Sequence, residues 1–128
     1  MSHSYSLRVY YEDTDLAGIV YYANYLKFIE RARTEWVRSL GVDQARLKSE
    51  QGLVFAVRHV SADYLRPACF DDLLTVHTRI SNLRGAQVTL AQDIFRDETC
   101  LFQSKVSLVA LKDDGRPARL PDVFRGEL

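Results

Sequence analysis

Apolar residues recur every three or four positions after residue 24, and polar residues fill the positions between them. This spacing is typical of an amphipathic helix of about four turns, and its apolar members are Tyr25, Phe28, Ile29, Ala32, Trp36, Val37 and Leu40. The opposite side carries charged residues, namely Lys27, Glu30, Arg31 and Arg38. Asn24 is a candidate N-cap, and Gly41 is a candidate helix stop. The segment "VDQARLKSEQG" predicts a short second helix directly afterwards.

From Leu53 onward the period of the apolar positions changes to two, which is typical of β-strands. The pattern predicts one strand before the helix and four long strands after it, at Ser6–Tyr11, Val54–Tyr64, Leu73–Leu83, Gln87–Arg96 and Leu101–Leu111. The residues predicted to face the core include Leu74, Val76, Thr78 and Ile80 in one strand and Phe102, Val106, Leu108 and Ala110 in the last. Turn-forming segments such as "NLRGA" and "KDDGRP" separate the strands.

These elements form an α+β layout in which a five-stranded antiparallel sheet curls around one helix. No linker or repeat divides the chain, so we expect one domain over residues 1–128. One sheet face and the sheet edge remain uncovered in a monomer. We therefore expect at least a dimer, with an edge strand paired across a two-fold axis.

Composition narrows the class of protein. The chain has 128 residues, 47% of them hydrophobic, and a formal net charge of zero. Balanced charge argues against nucleic acid as a partner. No apolar run approaches ~18 residues and no signal-peptide pattern is present, so we expect a cytoplasmic protein whose membrane contact is at most peripheral. Cys69 and Cys100 are interpreted as reduced core thiols.

Most catalytic motifs are absent. The sequence has no G-x-S-x-G elbow, no phosphate-binding glycine loop and no metal-spaced His/Cys cluster, so no metal site or cofactor is predicted. His3 falls in an end that we expect to be disordered, and His59 and His77 fall in strands without an evident partner.

The acidic segment "EDTDLAGIVYYANY" carries the remaining candidate chemistry. If "EDTD" is extended, Asp13 and Asp15 point the same way and Glu12 points away. Gly18 permits a tight turn, and the helix that follows begins with amides that lack an intrahelical partner. A carboxylate beside such donors is a minimal arrangement for acyl transfer to water. The alternative is structural: the two aspartates cap the turn and favour the positive end of the helix. Spacing alone leaves both interpretations open.

A family resemblance favours the first interpretation. The segment "YYEDTDLAGIVYYANYLKFIERARTEWVRSLG" resembles the amino-terminal signature of the 4-hydroxybenzoyl-CoA thioesterase family within the hotdog-fold superfamily, and most of all its Tol-Pal-associated acyl-CoA thioesterase branch. The resemblance continues through "FAVRHVSADYLRPACFDDLL", "ISNLRGAQVTLAQDIF" and "ALKDDGRPARLP". It implies a hotdog fold, a long helix wrapped by an antiparallel sheet. A cystatin-like cone has the same elements, and only the strand order separates the two.

The resemblance also implies functional roles. Asp15 is expected to act as general base or nucleophile, and the backbone amide of Tyr22 is expected to polarise the thioester carbonyl. Gly18 is expected to shape the loop, and the substrate is expected to lie between two subunits. Many close relatives in this branch have His where this chain has Tyr22. Since the backbone donor is unchanged, we expect activity to be kept, whereas the acyl preference stays open.

Further residues are expected around an acyl-CoA substrate. Tyr11 is a candidate for the acyl pocket. Asp13 is a candidate for the substrate site. Its more direct interpretation is structural, as a residue that holds the loop through hydrogen bonds. The CoA phosphates require cations, and the candidates in exposed turns are Arg84, Arg116 and Arg119. Arg31 and Arg33 are more simply explained by pairing with Glu30, Glu35 or a neighbouring subunit.

The sequence therefore predicts an enzyme that hydrolyses an acyl-CoA thioester, assembled as a dimer or a dimer of dimers. Two alternatives remain. A dehydratase or hydratase would require an active-site His, and none occurs between His3 and His59. A non-catalytic subunit that binds acyl groups, or that associates with the Tol-Pal or lipid-synthesis machinery, is the stronger alternative.

Overall fold

The protein is built from one antiparallel sheet and one long helix. A computed structural model describes residues 2–127. Its elements are β1 (His3–Arg8), α1 (Asn24–Ser39), α2 (Gln44–Gln51), β2 (Val54–Tyr64), β3 (Leu73–Arg84), β4 (Gln87–Arg96) and β5 (Thr99–Leu111), with short 3₁₀ turns at Tyr11–Asp13 and Asp122–Glu127. The strand order is β1-β3-β4-β5-β2, and every neighbouring pair is antiparallel. The predicted five-stranded antiparallel sheet is confirmed.

The two-residue period of the apolar positions predicted the bounds of the four later strands to within two residues. β2 and β4 begin and end where the alternation predicts, whereas β3 extends one residue further and β5 begins two residues earlier. The residues predicted to face the core from β3 and β5 are all buried. α2 also forms as predicted, because Asp43 caps its first turn by accepting from the amide of Arg46.

The first strand is the main error of the prediction. It spans His3–Arg8 and not Ser6–Tyr11, so His3 belongs to a strand and not to a disordered end. β3 begins at Leu73, which pairs with Arg8, so the residues after Arg8 have no residue of β3 to pair with. After Val9 the chain turns away from the sheet, and Tyr11 lies in a 3₁₀ turn.

The helix α1 packs its predicted apolar face against the sheet. Six of the seven predicted residues are buried, and Leu40 at the end of the helix is half-buried. Trp36 stacks on Phe124 with ring centroids 5.4 Å apart, which closes one end of the core. Within residues 2–127, no helix is long and apolar enough to cross a membrane.

A polar cluster crosses the centre of this core. The side-chain amide of Gln92 donates to the carbonyl of Ile29 and to the hydroxyl of Thr78, and its oxygen accepts from the guanidinium of Arg33 at 2.9 Å. Arg33 also pairs with Glu30, as the sequence predicts, although its burial does not follow from the helical pattern. Burial lowers the pKa of Arg33 below its ordinary value, and Glu30 opposes that shift. Together these bonds tie α1 to β3 and β4.

Candidate active site

The acidic loop is not extended. Tyr11–Asp13 forms a 3₁₀ turn, and this geometry buries Asp13 while Asp15 is exposed. The expectation that the two carboxylates point the same way is therefore wrong. Side chains alternate only along an extended backbone, and here the 3₁₀ turn includes Asp13, so the extended bridge of Thr14 with Val20 begins only after it.

Asp13 holds the loop together. Its Oδ2 accepts from the amide of Tyr10 at 2.8 Å, and its carbonyl accepts from the amide of Tyr21 and from Nδ2 of Asn24, both at 2.9 Å. Asn24 is the first helical residue and not the N-cap, which is Ala23. Its side chain reaches back to the loop instead of capping the helix. These contacts agree with the structural interpretation of Asp13.

Asp15 begins a tight turn that ends at Ile19. Its Oδ1 accepts from the amide of Ala17 at 2.9 Å, its carbonyl accepts from the amide of Gly18 at 3.0 Å, and its amide donates to the carbonyl of Ile19. Gly18 has φ +81°, a conformation that costs other residues about 1–2 kcal/mol. Leu16 at the tip of the turn is fully exposed.

We predict that Gly18→Ala distorts this turn. No atom lies within 4 Å of the added methyl group, so the cost comes from the backbone conformation alone. We expect the free energy of unfolding to fall by about 1 kcal/mol, with a larger relative loss of turnover because Asp15 is displaced. Urea unfolding and steady-state kinetics measure the two effects. Gly126→Ala, with neither a positive φ nor a close neighbour, is the matched control.

The amide of Tyr22 is an unused donor. Within residues 2–127 neither it nor the amide of Ala23 donates to an acceptor, whereas the amides of Tyr21 and Asn24, which flank this pair, are both bonded. Tyr22 lies directly before Ala23, the N-cap of α1, so its amide is just outside the helix and takes no part in the helical hydrogen bonds. This arrangement provides the type of donor that stabilises an oxyanion.

An apolar cavity of about 330 Å³ opens beside Tyr22. It is lined by Ile19 and Val20 from the loop, Tyr22 and Tyr25 from the helix start, and Tyr64 and Leu65 from the end of β2. Neither Asp15 nor Tyr11 is among its lining residues. Tyr11 is 82% exposed and packs against Phe70. A larger hollow between α1 and α2 is lined by both polar and apolar residues and includes no residue of the acidic loop.

The three candidate CoA-binding arginines lie at the other end of the sheet. Arg84 is the last residue of β3. In the hairpin that follows, the carbonyl of Ala86 accepts from the amide of Ala110, and the carbonyl of Ala110 accepts from the amide of Ala118. The acidic loop instead lies beside the start of β3, because Val9 donates to Asp72. The length of β3 separates these ends by roughly 30 Å. The fold thus brings Arg84, Arg116 and Arg119 towards one another but not towards Asp15 of the same chain.

Sequence reasoning missed two residues beside Tyr22. The hydroxyl of Tyr64 donates to the carbonyl of Tyr22 at 2.9 Å, and Arg66 lines the same cavity. Tyr64 ends β2 and Arg66 follows it, about 40 residues away from Tyr22 in the sequence, so no local pattern connected them to the acidic loop. The prediction that Cys69 lies in the core is also wrong. Cys69 is exposed, and its backbone forms an isolated antiparallel β-bridge with Ile19 of the loop.

The fold and this loop define a class of protein: a hotdog domain with a carboxylate turn that leads into a helix. The chain belongs to the thioesterase superfamily, whose family model matches residues 17–101. It is 45% identical over 113 residues to the acyl-CoA thioesterase YbgC of Haemophilus influenzae, covering 88% of this chain and 82% of that protein.

Solved structures agree with this assignment. A probable thioesterase from Bartonella henselae superposes with a TM-score of 0.90 at 42% identity, covering 94% of this chain and all of that one. The 4-hydroxybenzoyl-CoA thioesterase of Pseudomonas sp. strain CBS-3 superposes with a TM-score of 0.92 at 23% identity, covering 99% of both chains. The predicted hotdog fold is confirmed over the cystatin-like alternative, and the predicted family is confirmed with it.

Proposed function

We propose that this chain hydrolyses acyl-CoA thioesters to the free acid and CoA, with Asp15 as general base or nucleophile. The observation that supports this most directly is the free amide of Tyr22 beside an apolar cavity, at the start of the helix that follows the Asp15 turn. The names of the relatives, acyl-CoA thioesterase and acyl-CoA thioester hydrolase, point to the same reaction.

The proposed reaction uses the amide and the carboxylate together. The thioester oxygen accepts from the Tyr22 amide, which stabilises the negative charge that develops there. The Asp15 carboxylate either removes a proton from water as the water attacks the carbonyl carbon, or attacks that carbon itself to form an anhydride that water then cleaves. In both routes the carbon–sulfur bond breaks and the CoA thiolate takes up a proton.

A second copy of the chain is proposed to complete the site. In one chain Asp15 is exposed and lies outside the lining of the cavity, and the candidate arginines are roughly 30 Å away. An adjoining subunit would enclose Asp15 and supply cations from Arg84, Arg116 and Arg119 to the CoA phosphates. Asp13 would act only by holding the loop, and Tyr11 would contact the acyl group only after such closure.

The edge strand β2 is the proposed contact between copies. β2 is the last strand in the sheet order. Helix α1 leaves part of the inner face of β2, the side that faces the core, exposed. Val57 and Val60 on that face are 47% and 39% exposed. Pairing two β2 strands would satisfy their edge hydrogen bonds and bury these side chains. Larger assemblies, a cytoplasmic location, peripheral membrane contact and association with Tol-Pal components remain predictions from the sequence.

We expect Val60→Asp to shift the protein towards monomers, because it places a carboxylate in the proposed contact. Turnover should fall with the fraction of dimer. Sedimentation velocity measures the assembly, and activity is measured at the same protein concentrations. Ser61→Asp, which adds the same charge one residue away on the opposite face of β2, is the control. A wild-type chain that is monomeric and fully active would contradict the shared site.

The alternative function is non-catalytic acyl binding, and the exposure of Asp15 in the single chain favours it. Release of free thiol from a panel of short, long and aromatic CoA esters separates the two functions. No turnover of any ester, or equal rates for the wild type and Asp15→Asn, would favour the binding protein. A dehydratase has less support: the described lining of the cavity includes no histidine, and His77 bonds to Ser4 on the outer face of the sheet.

A further inference from the structure

Tyr64 connects the end of β2 to the start of α1. Its hydroxyl donates to the Tyr22 carbonyl at 2.9 Å, a normal length for such a bond. Its ring is held by edge contacts with Tyr22, Tyr25 and Phe102, at centroid distances of 6.3, 5.3 and 5.0 Å. Tyr64 is 47% exposed, and these three aromatic neighbours hold the side of its ring from which the hydroxyl reaches Tyr22.

The Tyr22 amide lies between two fixed points of the backbone. On one side, the amide of Tyr21 is bonded to the carbonyl of Asp13. On the other side, the carbonyl of Tyr22 is bonded to Tyr64. Rotation about the bonds of Tyr22 would break one or both of these contacts. The peptide that carries the free N–H is itself held through its carbonyl, since the carbonyl oxygen of Tyr21 accepts from the amide of Asn24 at 2.8 Å. Asp13 and Tyr64 fix the peptides before and after it, and the three contacts together set the direction of the N–H group.

We propose that Tyr64 is a positioning residue that aims the Tyr22 amide at the thioester oxygen. This inference rests on the proposed function. Tyr64 does not touch the reacting atoms in this role; it fixes the peptide between Tyr22 and Ala23, which directly follows the peptide that carries the Tyr22 amide. A misaligned donor loses much of its effect, because oxyanion stabilisation depends on donors that are already oriented.

The ionisation state of Tyr64 is consistent with this role. Burial raises the pKa of its hydroxyl above the ordinary value for tyrosine, and Tyr22 raises it further. The group therefore stays protonated near neutral pH and remains a donor.

The test is Tyr64→Phe, which removes the hydroxyl and keeps the ring. One oxyanion donor is worth ~10²–10³ in rate, and a loosened donor retains part of that. We therefore expect kcat to fall about 10-fold, with KM within about twofold of the wild-type value. Tyr5→Phe is the matched control, because Tyr5 packs against the core from β1 and its hydroxyl makes no hydrogen bond within residues 2–127.

A second measurement reports the contact independently of activity. Ala23 shares its peptide with the Tyr22 carbonyl, so loss of the Tyr64 bond should shift its amide nitrogen resonance while distant amides stay unchanged. Unchanged kcat, a change in KM alone, an equal loss in Tyr5→Phe or an unmoved Ala23 resonance would each overturn the inference. An inactive wild-type protein would instead overturn the proposed function, and the positioning role with it.

Discussion

Replacing Asp15 with asparagine is expected to lower kcat for acyl-CoA hydrolysis by ~10²–10⁴-fold, the usual contribution of a positioned acid or base. The side-chain oxygen of asparagine still accepts from the Ala17 amide, so the turn should keep its shape. KM should therefore change little. Thiol release from the best CoA ester of the panel measures both constants.

The control for this variant is Glu12→Gln. Glu12 is exposed in the same loop, so the substitution makes the same change in charge three residues away. We expect kcat within about twofold of the wild-type value. If both variants lose activity equally, the loss reflects the charge of the loop and not the chemistry of Asp15.

Isotopic labelling tests for an anhydride that water cleaves at the Asp15 carboxyl carbon. In a single turnover in H₂¹⁸O, an anhydride route transfers label to the carboxylate of Asp15 when water attacks the enzyme side of the anhydride. Direct activation of water leaves the enzyme unlabelled. Mass spectrometry of the peptide that contains residue 15 gives the answer, and an unlabelled enzyme over repeated turnovers excludes attack at that carbon.

The largest loss of stability is expected from Gln92→Leu. This change leaves the guanidinium of Arg33, the hydroxyl of Thr78 and the carbonyl of Ile29 without their buried partner. Removing one partner from such a group typically costs about 3 kcal/mol or more. Urea unfolding at equilibrium should show a fall of that size in the free energy of unfolding.

Two further variants make this prediction specific. Gln103→Leu replaces the same side chain on the exposed face of β5 and should cost less than about 0.5 kcal/mol. The double variant Arg33→Met with Gln92→Leu should recover part of the loss, because it removes the buried cation as well. If Gln92→Leu alone is as stable as Gln103→Leu, the polar cluster contributes nothing measurable.

The strands and the main helix were predictable because their signals are local. β2 and β4 are long enough for the two-residue alternation to fix both ends, and α1 repeats its apolar stripe over 16 residues. Tyr10 and Tyr11 show the limit of this reasoning. Both are residue types that favour strands, yet no strand lies opposite them, and they leave the sheet.

The candidate site was predictable only in part. The residues of the acidic loop are close in sequence, so the loop was found as a candidate directly, whereas Asp15 and the amide of Tyr22 were singled out within it by the family resemblance. The role of Asn24 was misjudged, since its side chain bonds to Asp13 across 11 residues of chain. Tyr64 was missed for the same reason, because its contact with Tyr22 spans 42 residues.

The sequence alone determined the main helix, the four later strands, their apolar faces and the family, because periodicity and motif spacing are properties of neighbouring residues. Only the tertiary structure decided which carboxylate is buried, what surrounds the Tyr22 amide, and that the arginines lie at the far end of the sheet. These features depend on contacts between segments distant in the chain. Such contacts are set by strand order and packing, which no local pattern encodes.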